Sequence, residues 1–360
     1  MAALKPCPPV AVFTLEQIQK ELPPPHALLS LLADSFVLFS QGQVVLAPPS
    51  HLSFAAAGIN ADCCVKFAYA VGGALWVGKV AAGFYDNPAA GLPSSCGLML
   101  LFDQKLGVPR GILLERGFLT DLRTAYAAAL TARALAPRAA RAVGLIGAGT
   151  IARLLLDVLP LATQCRALVV WARREAAAEE LCALARRAGW EAAAAASPAR
   201  VLAECDLVFT CTPSRAPLLT AADLRARGEG HALHLCALGA DAEGKQELEP
   251  ALVARAELLV ADSKAQCLAF GELSHALRAK LVREDDARLI ELGELLSSRV
   301  ALQRGDHTDT RFTLADSTGI GASDLAIAQA VYANLVNFEL PSGPPRHQWR
   351  NSLQATGAKL

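Results

Sequence analysis

The stretch from Val143 to Leu159, VGLIGAGTIARLLLDVL, constrains this chain more than any other. Four apolar-biased residues lead into Gly-Ala-Gly, and a helical pattern begins at once. This is the context in which a glycine-rich turn carries phosphate chemistry. Gly147 permits the tight turn, and Gly149 lets the backbone approach a pyrophosphate. Ala152 takes the third small position, where strand and helix pack closely. Thr150 and Ile151 open the helix, whose unpaired N–H groups and dipole favour an anion. A dinucleotide is the ligand this arrangement predicts.

The next strand, "ALVVWARRE", bears on which dinucleotide. An acid at its tip would take a free ribose 2′-hydroxyl. Arg173 and Arg174 stand there instead. A guanidinium matches a 2′-phosphate, so NADP(H) is favoured, with NAD(H) retained as the alternative.

The same β-α alternation continues through "DLVFTCTPS", "HALHLCALG" and "AELLVADS", which predicts a parallel, doubly wound Rossmann-type sheet. The chain before it differs. "VAVFTLEQIQKELP" reads as a short strand and a helix capped at Thr14 with Gln17 at the third position. A helix over 26–41 follows. From Val44 to Leu114, short β-rich runs alternate with turn residues, which predicts a mostly antiparallel sheet. "TDLRTAYAAALTARAL" is a helix capped at Thr120, and "APRAAR" is a domain boundary. Near the C-terminus, "DDARLIELGELLSSRV" reads as a helix. "FTLADSTGIGASDLAIAQAVYANLV" reads as a strand, a glycine-rich turn and a long helix. The fold class is therefore α/β, a Rossmann-type sheet joined to a second, α+β unit.

Composition narrows the function. With 34 basic and 34 acidic residues in 360, the chain lacks the charge imbalance of a nucleic-acid or anionic-membrane binder. Its apolar runs are too short to span a bilayer. Ten scattered cysteines without a C-x-x-C pair argue against a disulfide framework or zinc site and for a reducing, cytoplasmic setting. No histidine spacing suggests a metal. His51 and His234 read as satisfied polar residues, and Glu272, Glu291 and Glu294 as structural ion-pair partners.

Several segments, in order, resemble the ornithine cyclodeaminase/μ-crystallin family: "GKVAAGFYDNPAAGLPSS", "LTDLRTAYAAALTARALAP", "GLIGAGTIA", "FTCTPSRAPLL", "ALGADAEGKQEL", "VADSKAQCLAFGEL" and "STGIGASDLAIAQAVY". The resemblance covers roughly Phe13 to Tyr332. It implies a discontinuous substrate-binding and dimerisation domain, 1–137 with 310–360, around a nucleotide-binding domain, 138–309. It also implies a homodimer and hydride transfer at an amino-bearing carbon through an imine. The substrate is then a small amino or imino acid of the ketimine, cyclic or alanine type. Ornithine cyclodeaminase and a non-catalytic nucleotide-binding protein are the alternatives.

Residue by residue, the resemblance makes Lys79 the active-site lysine and Arg123 the grip on the substrate carboxylate. Ser94 stands where the family usually has threonine, and Asp241 is the acid near the substrate amine. Thr212, Pro213 and Ser214 form the loop beside the adenosine and ribose, and Ser317 supplies a hydroxyl near the nicotinamide. Two departures stand out. "APPSH" puts Ser50 where many members carry a carboxylate-binding arginine, which leaves Lys66 as the nearest replacement cation. Arg173-Arg174 replaces the acid of NAD-holding cyclodeaminases. In a eukaryote, the ending Ala358-Lys359-Leu360, a variant of the Ser-Lys-Leu address, would direct peroxisomal import.

Overall fold

The computed structural model describes residues 9–228, 230, 232–297 and 310–337. The tripeptide Ala358-Lys359-Leu360 lies outside them. Among the described residues no helix is long and apolar enough to cross a membrane, and the cysteines are free thiols.

The N-terminal part forms a seven-stranded sheet. Its order is Ala11–Phe13, Pro109–Leu113, Ser95–Asp103, Leu75–Phe84, Ala61–Ala70 and Val44–Leu46, with Ser50–Ser53 also paired to Ala61–Ala70. All pairs are antiparallel except the first. Register divides the sheet into two faces, because side chains alternate along a strand. Lys66, Lys79, Met99 and Leu113 lie in one row across four strands on the inner face. That face is buried under helices Phe118–Leu135 and Gly321–Val336, with helix Pro25–Ser40 packed on both. The outer face carries the rows Val45, Tyr69, Trp76, Phe102 and Phe67, Gly78, Leu100, Ile112, Val12.

The second sheet has eight parallel strands. Its order is Glu191–Ala194, Ala167–Trp171, Val143–Ile146, Leu207–Thr210, Leu233–Ala237, Phe312–Asp316, Leu258–Ala261 and Leu289–Glu291. The central strands are buried along their whole length, as expected where helices cover both faces. The order reverses at Val143–Ile146, the place where doubly wound sheets bind ligands.

Helix Phe118–Leu135 wedges between the two sheets. Ala125, Ala127, Ala128, Ala129 and Ala132 are all buried, so the helix is covered on nearly every side. Alanine suits this position because it lets both layers approach.

In its elements the structure departs from the sequence reading in three places. The N-cap of the wedge helix is Gly117, in the left-handed region at φ 87°, rather than Thr120. The segment expected as one helix from 285 splits into strand Leu289–Glu291 and helix Leu292–Ser297, because residues 289–291 pair with Leu259–Ala261. Strand pairing overrides helix propensity there. Finally, Phe312–Asp316, placed by sequence on the substrate-domain side of 310, sits in the middle of the parallel sheet. After this strand the chain passes back to the first unit through 317–320.

Candidate active site

The register of the parallel sheet places Ile146 beside Trp171 and Thr210, Thr210 beside Ala237, and Ala237 beside Asp316, which lies beside Ala261. Six loops therefore leave the same carboxyl edge. They carry Gly147–Gly149, Arg173–Arg174, Thr212–Ser214, Asp241, Asp262 and Ser317–Gly319. Sequence reasoning named residues in five of them.

The glycine loop has the shape its motif requires. Gly147 has φ 120°, and a β-carbon there would stand 2.7 Å from the Cys211 carbonyl oxygen. At Gly149 a β-carbon would meet nothing within 4 Å, so this backbone faces open space. Helix Thr150–Val158 starts directly after it, with Thr150 exposed, Ile151 half-buried and Ala152 fully buried against the sheet. Arg173 and Arg174 are exposed at the next strand tip, and the Arg174 side chain takes no part in capping the helix that follows. Open backbone at a helix start fits the pyrophosphate of a dinucleotide.

Glu247, which sequence reasoning missed, fixes the neighbouring loops. It is fully buried. Its carboxylate accepts from the Thr210 hydroxyl (2.6 Å), the Thr212 amide and hydroxyl (both 2.7 Å) and the Gly239 amide (2.8 Å). Burial pushes its pKa up, against the hydrogen bonds from Thr210 and Thr212. Glu272, expected in an ion pair, instead accepts from the backbone amides of Glu247 and Leu248. Ser214 turns inward on its own loop, donating to Ala216 O at 2.6 Å, while Pro213 is exposed.

Asp262 organises the crossing back to the first unit. It accepts from the hydroxyls of Ser317 (3.0 Å) and Thr318 (3.1 Å) and from the Gly319 amide (2.6 Å). The Ser317 hydroxyl is thus spoken for as a donor. Lys66, 5 % exposed, donates to the carbonyls of Thr318 (3.0 Å) and Gly319. The lysine proposed to replace a missing arginine is therefore anchored to this loop.

The densest charge lies beneath. Asp324, in the first turn of helix Gly321–Val336, is fully buried and meets Lys79 Nζ at 2.9 Å and Arg123 Nε at 2.8 Å. Lys79 and Arg123 are themselves 1 % and 4 % exposed. Burial lowers the Lys79 pKa to about 8 even though Asp324 opposes the shift. Burial would raise Asp324, but Arg123 and then Lys79 hold its carboxyl down at about 2. Gly319, at φ 72°, lies against the terminal nitrogens of Arg123, where any side chain would collide. The sequence alone assigns Asp324 no role. An acid in the first turn of an otherwise apolar helix was the available signal.

Asp241 is half-exposed and pairs with Lys245 Nζ at 2.7 Å. Desolvation works against its ionisation, but Lys245, with Lys66 behind it, brings its pKa below the ordinary value. Ser94 is half-buried, its carbonyl accepting from Phe84 N. His234 is fully buried between the hydroxyls of Thr313 (3.0 Å) and Thr131 (3.2 Å), a satisfied polar residue as expected. Glu294 pairs with Lys264 at 3.0 Å, and Glu291 accepts from Ser40 and the Lys264 amide. Among the described residues no cluster could hold a metal.

A doubly wound nucleotide-binding sheet whose carboxyl edge faces a second unit lined with buried cations defines an α/β protein of Rossmann type. The chain belongs to the ornithine cyclodeaminase/mu-crystallin family, whose model matches residues 11–339. It is 35 % identical over 326 residues to an uncharacterized cyclodeaminase of Sinorhizobium fredii, covering 90 % of this chain and 96 % of that one. Two solved structures are similar over nearly the whole length. The iminosuccinate reductase of Paracoccus denitrificans in complex with NAD+ is 28 % identical, with TM-score 0.76 and coverage of 91 % and 96 %. An archaeal alanine dehydrogenase dimer with bound NAD is 26 % identical, with TM-score 0.78 and coverage of 93 % and 99 %.

Proposed function

We propose that this chain transfers hydride between NADP(H) and the carbon of a C=N bond in a small imino acid, interconverting it with the amino acid. The observation that carries this reading is the buried Lys79–Asp324–Arg123 cluster, built opposite the nucleotide-binding edge. The bound nicotinamide supplies or accepts the hydride. The protein's own groups do the rest.

Asp324 holds Arg123 by Nε, so its terminal nitrogens lie along Gly319 and suit a substrate carboxylate. Fixing that carboxylate orients the imine carbon. Lys79, with its pKa near 8, exchanges a proton at neutral pH. Asp241, ionised at the rim, stabilises the protonated substrate nitrogen, and an iminium accepts hydride better than a neutral imine. Gly147, Gly149 and the first turn from Thr150 would hold the pyrophosphate, and Arg173 with Arg174 would hold a 2′-phosphate. NADP(H) preference rests on that arginine pair, whereas the similar solved structures contain NAD.

The substrate unit also forms the homodimer in this reading. Its outer sheet face exposes Val12, Val45, Phe67 and Tyr69, and Trp76 stacks on Phe102 at 4.1 Å. Such a face favours burial against a second copy.

The test is oxidation of NADPH and NADH followed by absorbance. The substrates are pyruvate with ammonia or methylamine, and five- and six-membered cyclic imino acids. Turnover on at least one imine, faster with NADPH, is expected. Ammonia release from ornithine without net change in cofactor absorbance would replace this reading with a cyclodeaminase. Cofactor binding without turnover on any of them would leave a binding protein.

A further inference from the structure

Lys245, introduced above only as the partner of Asp241, makes further contacts that reach across to the other unit. Its ammonium, 4 % exposed, meets Asp241 Oδ1 at 2.7 Å, the Tyr85 hydroxyl at 2.6 Å and Asp62 Oδ2 at 3.2 Å. The Tyr85 hydroxyl in turn donates to Asp62 at 2.8 Å. Asp241 and Lys245 belong to the nucleotide-binding unit, whereas Asp62 lies in the antiparallel sheet and Tyr85 directly follows its strand Leu75–Phe84. One cation thus serves two carboxylates on opposite sides of the crevice.

We propose that Lys245 is a positioning residue for hydride transfer, sharing its charge between Asp241 and the Asp62–Tyr85 pair and so setting both the place and the ionisation of the Asp241 carboxylate. The proposal rests on the role given to Asp241 above. Other groups also face Asp241. They are Cys64 and Lys66 on strand Ala61–Ala70, His51 on the neighbouring strand, Tyr85, and Asp121 on the wedge helix. Lys245 is the cation in direct contact, so it dominates the balance. Burial pushes the Tyr85 phenol up, so it stays protonated and keeps donating to Asp62. Asp62 competes for the same ammonium. Removing Lys245 and removing Asp62 must then move Asp241 in opposite directions.

The experiment uses full-length protein labelled with 13C at the aspartate carboxyls, with Asp241→Asn to assign the resonance. In Lys245→Met the Asp241 midpoint should rise by about one pH unit or more, the usual effect of losing an opposite charge at this range. In the near-isosteric Asp62→Asn it should fall below wild type. The acid limb of the rate–pH profile, measured with NADPH and the imine of pyruvate and methylamine, should follow both shifts. Lys245→Met activity should recover at higher pH, which a merely structural loss would not show. Equal Asp241 midpoints in wild type and both variants would overturn the proposal. If the midpoints move but Asp241→Asn keeps its full rate, the role assigned to Asp241 fails instead.

Discussion

Replacing Asp324 with asparagine removes one negative charge from a buried site and leaves the volume unchanged. Two cations lose their partner, because Lys79 and Arg123 both contact this carboxylate. Breaking a buried pair costs about 3–5 kcal/mol, since the surviving charge remains desolvated. The pKa shifts give a consistent scale. Lowering the Asp324 carboxyl from 3.8 to about 2 corresponds to about 2–3 kcal/mol. Because its folded pKa is depressed, that stabilisation is present above about pH 4 and disappears as pH falls through 2. Lys79 behaves oppositely. Its folded pKa near 8 lies below 10.5, so its buried charge opposes folding at neutral pH, and stability rises as pH climbs between those values.

Without Asp324 the Lys79 pKa falls further, and the variant suffers most where the lysine would otherwise be protonated. Urea unfolding at pH 6 should show Asp324→Asn destabilised by about 3–5 kcal/mol, and the deficit should shrink at pH 9. Arg123, which keeps its charge, retains its share of the penalty throughout. A deficit under about 1 kcal/mol at pH 6, the range of an exposed pair, would refute the reasoning. So would an identical deficit at the two pH values.

Lys79→Met should lower kcat by about a hundred-fold or more, the scale of a lost acid–base group, with cofactor Kd unchanged; full kcat would make the lysine structural. Arg173→Ala with Arg174→Ala should weaken NADPH binding about ten- to a hundred-fold and leave NADH binding as it was, measured by fluorescence titration. Trp76→Glu, placing a charge on the stacked outer face, should shift the protein from dimer to monomer in sedimentation; an unchanged sedimentation coefficient would move the interface elsewhere.

Local signals exposed much of this molecule. The glycine loop, the capping box at Thr14 and the alternating strands each follow from neighbours a few residues apart, and each stands where the residues put it. What stayed hidden depends on distance along the chain. Asp324 meets Arg123 across 201 residues, and Glu247 meets Thr210 across 37. No periodicity reports such partners. Lys66 shows the reverse: its charge was evident, but the backbone carbonyls that hold it appear only when residues 252 positions away fold over it. Residues 289–291 read as helix because the strand they pair with lies outside their local pattern.

The strand Phe312–Asp316 has a consequence for how the molecule comes into being. It is inserted between Leu233–Ala237 and Leu258–Ala261, so His234 waits for Thr313 across 79 residues of chain. Closing so long a loop adds entropy before any contact rewards it, and slows folding relative to local pairing. Because the chain is made from its N-terminus, the middle of the parallel sheet cannot be completed before this late segment exists. The same passage then delivers the helix that places Asp324 between Lys79 and Arg123. A chain lacking this strand would leave the facing edges of Leu233–Ala237 and Leu258–Ala261 without their partner, and unpaired edges promote aggregation. Completion of the parallel sheet and of the buried charge cluster therefore depends on one stretch of chain, which opens with a five-residue strand.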